Sequence, residues 1–167
     1  MAFSVVTVLT RARSIADRLS WAGPLLVRLS LAGVFIFTGW GKLHDLERIT
    51  GFFTELGIPM PGVNAVVVSA LEFVGGLLLL VGLFTRFAAL PLAFSMVVAI
   101  VTARRGEIEG IASVLAFNEF TYLACFLWLA LAGAGAISLD RLLFGRMAGA
   151  GPHPALPVSA PATGPSP

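Results

Sequence analysis

Three ionisable residues of this chain lie inside long apolar runs: Arg28, Glu72 and Glu119. A charge placed in hydrocarbon is costly unless it meets a partner or a polar cavity, so each of these marks either a function or an ion pair. Arg28, Ala32, Phe35, Gly39 and Lys42 recur at helical spacing, which sets two cations on one helix face. Ser69, Glu72, Gly75, Gly76 and Leu79 share another face, whose glycines admit a neighbouring backbone at close range. Glu119, with Asn118 beside it, sits near the edge of its run within range of Lys42 or Arg104. A buried carboxylate facing a cation can hold and pass on a proton, or line a polar cavity for a quinone head group or a small anion. The depths of Arg28 and Glu72 differ by roughly 9 Å, a gap that an extended arginine on a tilted helix can largely close, so an Arg28–Glu72 pair is within reach. The same charges also read as structural ion pairs that fix helix register without doing chemistry.

The elements that must position them follow from composition. The chain has 167 residues, of which 57% are hydrophobic and 12% charged, with a mean hydropathy of +0.94. An average soluble domain is about a quarter charged, so too little polar surface remains here to cover a globule in water. A bilayer is the implied solvent, which excludes a disordered or collagenous chain and a soluble enzyme. The net charge of +2 arises from basic residues at the ends of apolar runs, where they act as topology signals and form no nucleic-acid surface. One cysteine, Cys125, rules out an internal disulfide framework, a Cys-rich zinc site and a dithiol relay. His44 and His153 do not lie at matching depths, so no haem site is supported, and no metal is expected. Walker, dinucleotide, HExxH and nucleophile-elbow motifs are all lacking.

A hydrocarbon core about 30 Å thick needs roughly 20 helical residues. Four stretches approach that length: 22–41, 63–84, 88–103 and 118–138, the third being the shortest. Thr85 to Phe87 is then the whole connection between the second and third, which forces an antiparallel hairpin. The Lys and Arg distribution is modestly heavier on the side of the termini, predicting both in the cytoplasm. The loop 42–62 carries Phe52, Phe53 and Leu56 among charges, as a short interfacial helix would, and the loop 104–117 keeps enough apolar residues to cover the bundle. Residues 1–21 read as an interfacial segment and not as a secretory signal. Residues 145–167, rich in Pro, Gly and Ala, read as a disordered tail. Leu71-Glu72-Phe73 and Asn118-Glu119-Phe120 open comparable runs, which reads either as an internal repeat of two helix pairs or as chance among segments drawn from few residue types.

The segments RLSLAGVFIFTGWGKL from Arg28, FFTELGIP from Phe52, LEFVGGLLLLVGLFTR from Leu71 and FNEFTYLACFLWLALAGAGAISLD from Phe117 resemble the DoxX family of small membrane proteins. The matching positions are Arg28, Gly39, Lys42, Glu72, Gly75, Gly76, Arg86, Asn118, Glu119, Ser138 and Asp140. The resemblance implies an all-α, integral membrane four-helix bundle over residues 22–144, in the inner membrane. It also implies kinship with the small membrane subunit of a thiosulfate:quinone oxidoreductase and with complexes that handle oxidative or thiol stress. A single cysteine departs from what a thiol-oxidising member would need.

These readings combine into one expectation. The chain is an accessory membrane subunit of a redox complex, not an enzyme by itself, in contact with lipid and with partner subunits or further copies of itself. The polar interior around Arg28, Glu72, Lys42, Glu119 and Asn118 would meet a quinone. A small proton-coupled transporter and a purely structural membrane anchor are the two competing expectations.

Overall fold

The computed structural model describes residues 2–148. Apolar runs with few turn residues become helices because, in lipid, only intra-segment hydrogen bonds satisfy the backbone. α1 (Ala2–Leu19) is the amphipathic N-terminal segment, and α2 (Ala22–His44) is the first long apolar helix. α3 (Leu46–Glu55) is the short helix expected in the following loop. Asp45 caps it by accepting from the Arg48 backbone N–H at 3.3 Å and from Arg48 Nε at 2.6 Å. The hydrogen bond from the Arg48 side chain holds the Asp45 carboxyl below the usual carboxylate range. α4 (Pro61–Val81) opens on a proline, whose missing N–H costs nothing at the first helical position, and closes on Gly82 in the left-handed conformation. α5 (Thr85–Thr102) follows at once. A 3-10 turn (Arg105–Glu107), α6 (Ile111–Ala116), α7 (Asn118–Ala132) and α8 (Leu139–Ala148) complete the described chain, which contains no strand.

Among the described residues, α2, α4 and α5 are each long and apolar enough to cross a membrane. Two boundaries differ from expectation. Thr85 to Phe87 is the first turn of α5 and not a connection, which brings the third span to 18 residues. The short apolar helix is the fourth: α7 has 15 residues and reaches only about 22 Å at helical rise. Residues 133–138 continue it without helical hydrogen bonds. The tail beyond Ala148 lies outside the described residues, and α8 takes in the first few residues expected to belong to it.

α2 packs antiparallel on α4, and α5 on α7. Gly39 sets the closest approach. A Cβ there would overlap the backbone of Phe73, and one on Gly76 would lie 2.8 Å from the Ile36 nitrogen. Gly39→Ala is therefore expected to part α2 from α4 and cost about 1–3 kcal/mol in a detergent unfolding titration. Gly33→Ala on the same helix, where nothing lies within 4 Å, should be close to neutral.

Between the two helix pairs sits one core of Leu31, Phe35, Leu79, Leu92, Phe126 and Leu129. Phe35 meets Phe126 edge-on at 4.9 Å and Tyr122 at 5.6 Å, the arrangement aromatic quadrupoles favour. Phe37, Phe94 and Leu131 are 79%, 70% and 81% exposed. Large apolar side chains pointing outward on long apolar helices are the lipid-facing surface of a membrane protein.

Candidate functional site

The antiparallel register of α2 and α4 decides which charges meet. With Gly39 opposite Phe73, Glu72 is level with the last turns of α2, about twelve residues or ~18 Å along the axis from Arg28. The Arg28–Glu72 pair is therefore not formed. Lys42 Nζ donates instead to Glu72 Oε1 at 2.6 Å. The carboxylate is almost wholly enclosed, at 4% side-chain exposure, whereas the lysine retains 31%. Glu72 Oε2 is buried and has no hydrogen-bond partner among the described residues. Beside it the Trp40 ring lies 5.4 Å from Phe73 and 4.1 Å from His44, whose Nδ1 is 2.9 Å from the Trp40 carbonyl oxygen.

Lys42 also borders an open cleft of about 730 Å³ between α2 and α3. Its walls are aromatic, from Phe37, Phe52 and Phe53, and its rim carries Arg48 and Glu55. α3 is what creates this cleft. Its Asp45 cap turns the chain sharply after α2, and Ile49 buries against the bundle while Phe52 stays half exposed.

The second helix pair repeats the arrangement. Arg104, just past the end of α5, donates through Nε to Glu119 Oε1 of α7 at 3.1 Å and through Nη1 to Glu107 at 3.0 Å. It also lies over the Phe117 ring, with Cζ 5.5 Å from the centroid. Hydrogen bonds donated to Glu107 and Glu119 raise the Arg104 guanidinium above its ordinary range. Glu119 Oε2, like Glu72 Oε2, is buried without a partner. In each pair a cation at the end of the first long helix ties a glutamate on the next, and a short helix, α3 or α6, is inserted between. The internal repeat visible as Leu71-Glu72-Phe73 and Asn118-Glu119-Phe120 thus corresponds to two helix pairs running in the same sense. Asn118 opens α7 beside Glu119 and is exposed.

Arg28 is separate from all of these. It is 2% exposed and donates through Nη1 to the Ala134 carbonyl at 2.6 Å and through Nη2 to the Ile137 carbonyl at 2.7 Å. Both carbonyls belong to the non-helical stretch after α7. Irregular backbone at membrane depth is tolerated only where protein satisfies it, and the arginine fork does so here. Gly82 makes room for it, since a Cβ there would collide with the guanidinium and with Ser138. Asp140 closes the same end: its two carboxylate oxygens accept from the backbone N–H groups of Phe84 (2.7 Å) and Thr85 (3.0 Å), and its own N–H donates to the Gly82 carbonyl at 2.9 Å. Arg28 therefore belongs to a structural clasp and not to a shared polar interior with Lys42, Glu72 and Glu119. Asp140 matched the family pattern in the sequence, but that match assigned it no such role. The one local signal for the clasp was the run Gly133-Ala134-Gly135-Ala136, too rich in small residues to hold a helix.

Among the described residues no group of three His, Cys, Asp or Glu side chains is placed to hold a metal ion. Cys125 is a free thiol packed against the core.

Comparison with known proteins agrees with this architecture. The family model described as DoxX matches residues 23–105. The inner membrane protein YqjF of Escherichia coli is 34% identical over 126 residues, covering 75% of this chain and 95% of that protein. The Bacillus subtilis protein named "Putative oxidoreductase CatD" is 32% identical, covering 73% of this chain and 87% of its own length. A second Escherichia coli inner membrane protein, YphA, is 29% identical over 70% of this chain and 87% of its own. No solved structure matches significantly. A fold of long apolar helices, with Lys42 joined to Glu72 and Arg104 to Glu119, and relatives matched over nearly their whole length make this chain an all-α membrane protein of the DoxX family.

Proposed function

We propose that this protein is an accessory subunit of a membrane redox complex, and that it meets a quinone head group in the cleft between α2 and α3. The observation that carries the reading is the Lys42–Glu72 pair at the edge of an aromatic-walled cleft, with one carboxylate oxygen buried and unpartnered. A ligand pocket is typically apolar with a few placed polar groups, which describes this cleft. A quinone ring fits the donor set: Phe52 and Phe53 would flank it, and Lys42 Nζ, which has three hydrogens and gives one to Glu72, retains donors for a carbonyl oxygen. Phe37, exposed toward lipid, would face the tail. A bound quinone would supply two-electron, two-proton redox chemistry. The chain's own contribution would be to orient the ring and to hold a proton at Lys42 Nζ against Glu72 Oε1.

The name of the relative CatD supports an oxidoreductase context; the catalytic partner subunits belong to the proposal. So does the orientation, with both termini in the cytoplasm, which rests on the bias of Lys and Arg toward the terminal side.

Glu72→Gln keeps the shape of the side chain and removes the charge that anchors Lys42. Quinone-dependent electron transfer in membranes carrying this variant at normal abundance is expected to fall by about 10-fold or more, as for loss of a positioned proton-handling group. Unchanged transfer would remove the quinone role. Quinone retained after mild extraction by the unaltered chain, and lost from the variant, would support it.

A further inference from the structure

The opposite end of the bundle has a second cleft that the redox reading does not use. It is open, about 700 Å³, and lies among the α4–α5 turn, the first turn of α5, residues 132–135 and the start of α8. Its lining combines Arg86 and Arg141 with Phe84 and Phe87. The phenylalanines are 48% and 75% exposed at the ends of spanning helices, where aromatic side chains mark the boundary between hydrocarbon and head groups.

The charges of this cleft are unbalanced. Lys42, Arg48 and Arg104 each hold a carboxylate, and Arg28 is spent on two carbonyls. Arg86 and Arg141 make no ion pair among the described residues. Asp140 is the only acidic residue of the lining, and both its oxygens are occupied by the Phe84 and Thr85 N–H groups. Arg86 is also held in place: a Cβ on Gly133, which sits at φ +83°, would lie 3.2 Å from its Nε, so the guanidinium rests along bare backbone there. That leaves two donor-rich planar cations at a head-group boundary, one of them set against backbone, with apolar rings directed to the lipid side.

We propose that this cleft binds the phosphate group of an anionic phospholipid, held between Arg86 and Arg141, with Phe84 and Phe87 against its acyl chains. Guanidinium groups match phosphate oxygens in a two-pronged fashion, and the exposed rings supply the apolar contact that a soluble phosphate would not use. The site is independent of the quinone reading, since it shares no residue with the α2–α3 cleft.

The test uses the full chain purified in neutral detergent and supplied with phosphatidylglycerol or phosphatidylcholine, with native mass spectrometry reading the bound lipid. One retained phosphatidylglycerol per chain is expected, in preference to phosphatidylcholine. Arg86→Gln and Arg141→Gln should each weaken retention about fivefold, the value of one basic residue near an anionic lipid. Arg11→Gln with Arg13→Gln, which removes two exposed cations of α1, should leave it intact. Equal retention of the two lipids would overturn the proposal, as would a loss in the Arg11/Arg13 variant matching that in the cleft variants. Displacement by soluble glycerol phosphate at the concentration where the lipid itself competes would also overturn it, by identifying a phosphate site without lipid character. Arg141 lies on an exposed face, so its variant reads the site even if Arg86→Gln disturbs folding.

Discussion

Replacing Arg28 by methionine is expected to destabilise the protein by about 3–5 kcal/mol, because the Ala134 and Ile137 carbonyls would be left without donors at about 1–3 kcal/mol each. The side chain is 2% exposed and both of its contacts are to backbone, so water cannot take its place without opening the bundle. An unfolding titration in mixed micelles gives the magnitude. Hydrogen exchange locates it: protection should fall first in residues 133–143 and at the Phe84 and Thr85 amides, which depend on Asp140 of the same clasp. Arg28→Lys should recover only part of the loss, since one ammonium lacks the planar fork that reaches two carbonyls at once. A loss below about 1 kcal/mol would show that the clasp does not hold the end of α7.

The second large effect belongs to Lys42 and is asymmetric. Lys42→Met strands a carboxylate that is 4% exposed, at an expected cost of about 2–4 kcal/mol. That is somewhat below the ~3–5 kcal/mol typical of breaking a fully buried pair, because the lysine is itself 31% exposed. Glu72→Gln leaves a lysine whose long stem can carry its charge toward the head groups, so its cost should be smaller, near 1 kcal/mol. Combining Lys42→Met with Glu72→Gln should recover most of the loss of Lys42→Met alone, since no charge is then left buried. The same titration on three variants decides it, and equal single costs without recovery would contradict an ion pair that matters chiefly by neutralising Glu72. The asymmetry also makes Glu72→Gln a fair functional probe, because the protein should still assemble.

Much of the architecture was legible in the residues. Apolar runs bounded by charges located the spans, because the length of a helix across hydrocarbon and the cost of a charge within it are set by the bilayer. The interfacial helix at 46–55 followed from Phe52 and Phe53 spaced among charges. Glu119 met Arg104, one of its two candidate partners, since both lie at ends of spans where few neighbours compete. The true partners of Arg28 and of Glu72 were not legible. Depth counted from the ends of an apolar run carries an error of a few residues at each end. The true register is set by Gly39 against Phe73 and Gly76 against Ile36, contacts between residues far apart in sequence.

The sequence alone determined that this is an all-α membrane protein, where its apolar helices lie, and which few charges had to be accounted for. Those follow from solvent and helical period, which act residue by residue. Tertiary structure alone decided what each charge does. Arg28 became a clasp because α7 ends at Ala132 and exposes two carbonyls at its side. Lys42 and Glu72 became a pair at the edge of an aromatic cleft because glycine faces bring α2 and α4 together in one register, and α3 folds back beside them. A partner for a buried charge is chosen by geometry over a few ångströms, and that distance exists only after the helices have packed.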